Sequence, residues 1–133
     1  MNEDSFEVNK KRAYHELCQL SDEYEEALVT NDVESLVKLF WDSPHTVRYG
    51  PTEHLYGSDE IAQFRAKRLA KGLQRRVTRK AVFTVGENSG MVNLEFEKVI
   101  DGEKRHGRQS QHWMRLPGLG WKILSAHVSF VGA

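Results

Sequence analysis

The sequence predicts an α+β domain in which amino-terminal helices pack against a strongly curved, mostly antiparallel sheet that encloses a pocket. Three observations carry this. Apolar residues recur at steps of three and four over the first forty positions, as on one face of a helix. The last sixty positions hold runs with strand character separated by compact turns. Asp101-Gly102 between two such runs is a strong signal for a type I′ hairpin. Helices first and hairpin-linked strands afterwards is the α+β order, not the alternating order of a parallel sheet.

Ala13, Leu17, Leu20, Tyr24, Ala27 and Leu28 form the stripe of a first helix. Asn31-Asp32 breaks it and caps a short second helix bearing Val33, Leu36, Val37 and Phe40. Asp42-Ser43-Pro44 turns the chain into a strand at 46–49, which Gly50-Pro51 stops. A brief strand around His54 to Tyr56 ends at Gly57, and Ser58 is expected to cap a third helix. That helix carries Ile61, Phe64, Ala66 and Leu69 and is closed by Gly72. Strands follow at 74–85, 91–100, 103–116 and 121–131, with turns at 87–90 and 117–120. Residues 1–11 read as an amino-terminal extension and 12–133 as one domain.

The 133 residues suffice for one core without staples. The 19 basic and 19 acidic side chains cancel, so no overall field favours nucleic acid or an anionic membrane, and neither is an expected partner. The run Arg75 to Lys80 reads as a solvated strand end. The lone cysteine, Cys18, allows no internal disulfide and reads as a small buried hydrophobe. The charged amino terminus lacks a signal peptide's apolar core, and no run is long enough to span a bilayer, so the expected location is cytoplasmic. No phosphate loop, dinucleotide fingerprint or nucleophile elbow is present. None of the six histidines forms an HxxxH or HExxH pair, so neither a metal nor another cofactor is expected.

Period-2 alternation sorts the strand residues into faces. Trp121, Ile123, Ser125, His127 and Ser129 share one face of the last strand, and Lys122, Leu124, Ala126, Val128 and Phe130 the other. Gln109, Gln111 and Trp113 share a face of the preceding strand. Asn93 and Glu95 lie opposite the apolar set Val92, Leu94 and Phe96. If that apolar set is core, polar groups from three strands converge on the other side, as in a small-molecule site. On this reading His127 is a candidate for proton transfer, and Asn93, Glu95, Gln111 and Ser129 are candidate ligand contacts. Arg48, beside Val47 and Tyr49, needs a partner for its guanidinium. A ligand carboxylate is one, and a structural pair with Glu95 or Asp42 the other. Trp41, Trp113 and Trp121 read as core or interface.

Two stretches carry a specific resemblance. One runs from Phe40-Trp41-Asp42-Ser43-Pro44-His45-Thr46-Val47-Arg48-Tyr49-Gly50 through Glu53-His54-Leu55-Tyr56-Gly57 to Phe64-Arg65. The other runs from Gly107-Arg108-Gln109-Ser110-Gln111-His112-Trp113-Met114-Arg115-Leu116-Pro117 through Gly120-Trp121 to Ala126-His127-Val128-Ser129. Together they resemble the HpxZ/AtzH family of SnoaL-like proteins, within the nuclear-transport-factor-2-like (NTF2-like) superfamily. The resemblance covers nearly the whole chain from about Leu17. It implies a cone-shaped fold around a pocket, a homodimer or larger homo-oligomer, and a place in oxalurate, purine or s-triazine breakdown. It also implies that a first-helix tyrosine and a strand arginine matter for activity, matched here by Tyr24 and Arg48.

The expected function is therefore a metal-free, decarboxylating amidohydrolase acting on a small polar anion, a carboxylated urea or oxalurate-like compound. Tyr24, Arg48 and His127 would be its catalytic residues. The alternative is a non-catalytic ligand-binding or association module that works with an amidase of the same pathway. Isomerase or cyclase chemistry on an apolar polyketide or steroid fits the polar candidate lining poorly.

Overall fold

The structure, a computed structural model, describes residues 6–69 and 72–132. Three helices, α1 (Lys11–Val29), α2 (Val33–Leu39) and α3 (Ser58–Lys67), cover one face of a six-stranded sheet. The strands are β1 (Val47–Tyr49), β2 (His54–Tyr56), β3 (Arg76–Val85), β4 (Ser89–Ile100), β5 (Glu103–Leu116) and β6 (Gly120–Phe130), in the order β2-β1-β6-β5-β4-β3. All neighbours are antiparallel except β1, which runs parallel to β6. This is the α+β layering expected from the element order.

Local chemistry sets the boundaries. Asn31 takes a left-handed φ of 54° and ends α1, and the Asp32 carboxylate then accepts from the Ser35 N–H (3.2 Å) to start α2. Asp101 and Gly102 both have positive φ, 50° and 82°, as the type I′ turn between β4 and β5 requires. Two expectations for α3 need correcting. Ser58 does not cap it; its hydroxyl donates to Asp42 (2.9 Å). The helix also stops at Lys67, because Arg68 is extended (ψ 133°) and Leu69, which a longer helix would have buried, is exposed.

Residues 7–9 of the amino-terminal segment lie against the end of β3. The Asn9 N–H donates to the Thr84 carbonyl (3.0 Å), and the Thr84 N–H donates to the Asn9 side chain (2.9 Å). An edge strand's free backbone groups are thereby paired at one end.

The core lies between the helices and the inner face of the sheet. Leu17, Leu36, Ile61, Val92, Trp113 and Ile123 are almost wholly buried there. Val92, Leu94 and Phe96 face this layer, as their apolar character suggests. In β6 the alternation slips. His112 pairs with Ser125 but Trp113 pairs with Ile123, leaving Leu124 as an extra residue in a bulge. Trp121 and Ile123 face inward before the bulge, and Ala126 and Val128 face inward after it. A one-residue slip moves every later side chain to the other face. Ser125, His127 and Ser129 therefore point away from the helices.

Gly90 of β4 lies beneath Leu17 of α1. A Cβ there would meet the Leu17 side chain, the Phe83 carbonyl at 3.0 Å and the Thr84 methyl at 3.1 Å. Overpacking at such a site destabilises by about 1–3 kcal/mol. Gly90→Ala should lower the urea midpoint accordingly. Gly132→Ala, in open space, should leave it unchanged, and equal midpoints for both variants would refute the close packing.

Candidate functional site

Between the helices and the sheet lies a cavity of about 600 Å³. Its wall on the α1 side is Tyr24 and Leu28. Opposite stand Phe64 and Arg65 from α3 and Arg68 just after it, with Glu53 on the β1–β2 turn. The sheet contributes Arg48 from β1, Phe96 and Lys98 from β4, Gln109 from β5, and Val128 and Phe130 from β6. Arg75 enters just before β3. The lining thus holds five cationic side chains against the carboxylates of Glu53 and Asp101.

The arginines differ in how they are held. Arg48 Nη1 donates to Glu53 Oε1 at 2.7 Å, and its guanidinium lies 5.2 Å from the centre of the Phe64 ring. Glu53 is in turn bound by the Thr52 hydroxyl (2.8 Å). Burial would raise its pKa, but the bonds from Arg48 and Thr52 outweigh that and hold it below the usual carboxylate range. Arg75 makes a two-point contact with Glu25 (2.8 and 2.7 Å) and lies 4.3 Å from the centre of Phe96.

Among the described residues, no carboxylate pairs with Arg65. It is 1% exposed, Nη2 donates to the Tyr24 hydroxyl at 2.8 Å, and Nε and Nη1 are buried without a partner. Burial lowers its pKa, and Arg48 and Arg75 add to this against the pull of Tyr24. Arg68, over the outer part of Phe64, is lowered to about 10, first by burial and then by Arg65 and Arg48. Lys98 is lowered by burial and by Arg68 and Arg75. For Tyr24 burial alone would raise the pKa. The fields of Arg65, Arg48 and Arg75 overcome it, and the phenol sits below its ordinary value of 10.0. A buried phenol that ionises readily, flanked by guanidinium donors with free N–H groups, can bind an anion and exchange a proton with it.

Of the seven residues singled out in the sequence, Tyr24 and Arg48 line this cavity. Arg48 pairs with Glu53, and not with Glu95 or Asp42. Gln111 is buried on the inner face, where its oxygen accepts from the Trp113 indole at 2.9 Å, but it is not among the lining residues. His127, Ser129, Asn93 and Glu95 do not reach the cavity. The β6 bulge turns His127 outward, edge-on to Tyr49 at 5.7 Å, and Ser129 outward to accept from Arg108 (3.2 Å). The inward apolar set of β4 faces the same side as the cavity, so Asn93 and Glu95 fall on the far face. Asn93 there bonds Ser110 and the Ala81 carbonyl.

Arg65, Arg68, Arg75, Lys98, Gln109 and Glu53 were missed as site residues. The signal for Arg65 was its spacing from Ile61, which places a charge on the helix's inward stripe. Arg75 was absorbed into a run read as solvated; its side chain is 5% exposed. Gln109 shares the inward face with Gln111 and Trp113. Among the described residues, no three His, Cys, Asp or Glu side chains converge as a metal site, and no helix is long and apolar enough to cross a membrane.

The sequence matches the AtzH-like family over residues 6–133, a span that begins inside the supposed extension. A protein of unknown function from Pectobacterium atrosepticum is 38% identical, with 99% of each chain covered and a TM-score of 0.90. A cystatin-like fold protein from Burkholderia xenovorans is 39% identical over 96% of this chain and 98% of that one, with a TM-score of 0.88. An NTF2-like superfamily protein from Salmonella enterica is 25% identical over 92% of this chain and 93% of that one, with a TM-score of 0.74. No curated protein matches. With its curved sheet closing over an arginine-lined small-molecule pocket, this chain belongs to the AtzH-like family of the NTF2-like superfamily.

Proposed function

We propose that the protein is a decarboxylating amidohydrolase of nitrogen-compound catabolism, acting on a small N-carboxylated urea or an oxalurate-like relative. The observation that carries this is the contact between Arg65 and Tyr24. A guanidinium with two buried, unpartnered N–H groups stands beside an acidified phenol in a cavity rich in cations. The free donors suit a carboxylate. The phenol suits proton delivery to the nitrogen that carries it.

The chemistry needs no more than that. Tyr24 gives its proton to the N-carboxylated nitrogen, the N–C bond breaks with its electron pair retained by nitrogen, and carbon dioxide leaves. The phenolate is stabilised by Arg65 and takes a proton from water, and the hydroxide so formed captures carbon dioxide as bicarbonate. One water is consumed, and a urea nitrogen and a bicarbonate are produced. The cations also stabilise the charge that develops on oxygen.

The test is carbon dioxide release from 1,3-dicarboxyurea by purified protein in the presence of a chelator, with oxalurate, which carries no N-carboxylate for this step, as a binding comparison. The wild type should turn over. Tyr24→Phe, which loses the proton donor and keeps the ring, should fall by about 10²–10⁴-fold in kcat. Arg65→Lys should lose mostly in KM, since a single ammonium cannot replace the fork. Binding of these compounds without turnover would refute the enzyme reading and leave a binding module.

Anion affinity should also depend on pH in a definite direction. Tyr24 gains negative charge as pH rises through its depressed pKa, and Arg68 loses positive charge near 10. Both changes make the cavity less cationic. Binding of a non-titrating carboxylate should therefore weaken as pH rises through the titration of Tyr24 and then of Arg68 near 10. Tyr24→Phe should remove the earlier part of that decline, and a pH-independent affinity would contradict the assignment.

A further inference from the structure

Gln109 and Gln111 project inward from β5, 3% and 1% exposed. Packing leaves half of each amide unexplained. Arg75 Nη2 donates to Gln109 Oε1 at 3.2 Å, and the Trp113 indole donates to Gln111 Oε1 at 2.9 Å. A guanidinium and an indole N–H can only donate, so each must face an amide oxygen. Both amides are thereby locked with their NH₂ groups directed elsewhere. Both NH₂ groups are buried and neither has an acceptor. The outward amide of Asn93 is the contrast, with oxygen and nitrogen both bonded.

Gln109 is the one of the two that lines the cavity. Its neighbours there repeat its condition. The buried, unpartnered side-chain atoms of the lining are Arg48 Nε, Arg65 Nε and Nη1, and Gln109 Nε2, and every one of them is a donor. A buried donor without an acceptor is costly, so such a set is matched by a ligand rich in acceptors. The arginines answer to a carboxylate. A neutral amide NH₂ is the weaker and more selective donor, and it answers to a neutral carbonyl oxygen.

We infer that Gln109 recognises a carbonyl oxygen adjacent to the ligand's carboxylate, and that Arg75 is a positioning residue which fixes the Gln109 amide through its oxygen. The inference rests on the anion reading of the cavity and adds a second specificity to it. A carboxylate bearing an amide or urea carbonyl is accepted, and an alkyl carboxylate of the same shape is not.

The test compares oxamate with isobutyrate, which has the same outline and no carbonyl, by titration calorimetry on the intact protein. The wild type should bind oxamate about tenfold more tightly, the effect of one hydrogen bond to an otherwise unsatisfied buried group. Gln109→Leu should bring the ratio to about one while isobutyrate affinity is kept. Gln109→Glu keeps the bond to Arg75, and so the local fold, but presents an acceptor; its ratio should fall to one or below. Arg75→Met frees the amide to turn and should reduce the ratio in part. Equal binding of the two acids by the wild type, or a preference that survives in both Gln109 variants, overturns the inference and leaves the anion reading intact. Binding of neither acid by the wild type overturns both.

Discussion

The burial of Arg65 without a carboxylate partner is the constraint on which the rest of the site depends. Taking a guanidinium out of water costs several kcal/mol even after the surroundings relax. Among the described residues its one side-chain hydrogen-bond partner is a phenol, at 2.8 Å. The surroundings respond in two ways: Tyr24 is made more acidic, and Arg65 loses some of its hold on its own proton. The contact also ties α1 to α3. Tyr24 and Ile61 both belong to the hydrophobic core cluster, and Arg65 follows Ile61 by one helical turn. Core and site are therefore built on one helix face, and the chain holds its charged contact in place with the same packing that stabilises the fold.

The sheet's irregularity decides which side of each strand takes part. Leu124 is the extra residue of β6; had the strand kept regular alternation through it, Ser125, His127 and Ser129 would share the inward face with Trp121 and Ile123. With it, Val128 and Phe130 line the cavity and His127 packs outside against Tyr49. Bulges bend the strand that carries them and increase its twist. The inward turn of β6 beyond the bulge accordingly supplies apolar wall, and the polar chemistry is left to α1, α3, β1, β4 and β5 and to Glu53, Arg68 and Arg75 in the connections between elements.

Most of the fold was legible in the sequence because its signals are local. Asn31-Asp32, Asp101-Gly102 and the stripe from Ala13 to Leu28 each fix a boundary or a face within a few residues. The site was legible only in part. Tyr24 and Arg48 came from the resemblance, and spacing alone would have left Tyr24 in the core, where it also is. The assignment of His127 assumed an uninterrupted alternation that a single bulge breaks, and no turn residue marks that bulge. Arg65 and Arg75 escaped for another reason: charge was taken to mean exposure. In α3 the apolar count ran to Ala66 and Leu69, whereas the residues that line the cavity are Phe64 and Arg65, with Arg68 just past the helix end.

The way the cations are paired explains why the cavity can be at once rich in arginine and selective. Arg48 is neutralised by Glu53, and Arg75 by Glu25 behind it. These two pairs orient their guanidinium groups against Phe64 and Phe96 without adding net charge. Glu53 reaches its place because Gly50 has no side chain; a Cβ there would collide with the Glu53 carboxylate. The positive charge left over is that of Arg65, Arg68 and Lys98, and each of these has its pKa lowered by burial and by its neighbours. Cations destabilised by one another are stabilised in common by a single anion placed among them, so on the proposed reading their mutual repulsion would become part of the driving force for binding. On the proposed reading, the paired arginines would orient the ligand and the unpaired ones would supply most of the charge that binds it.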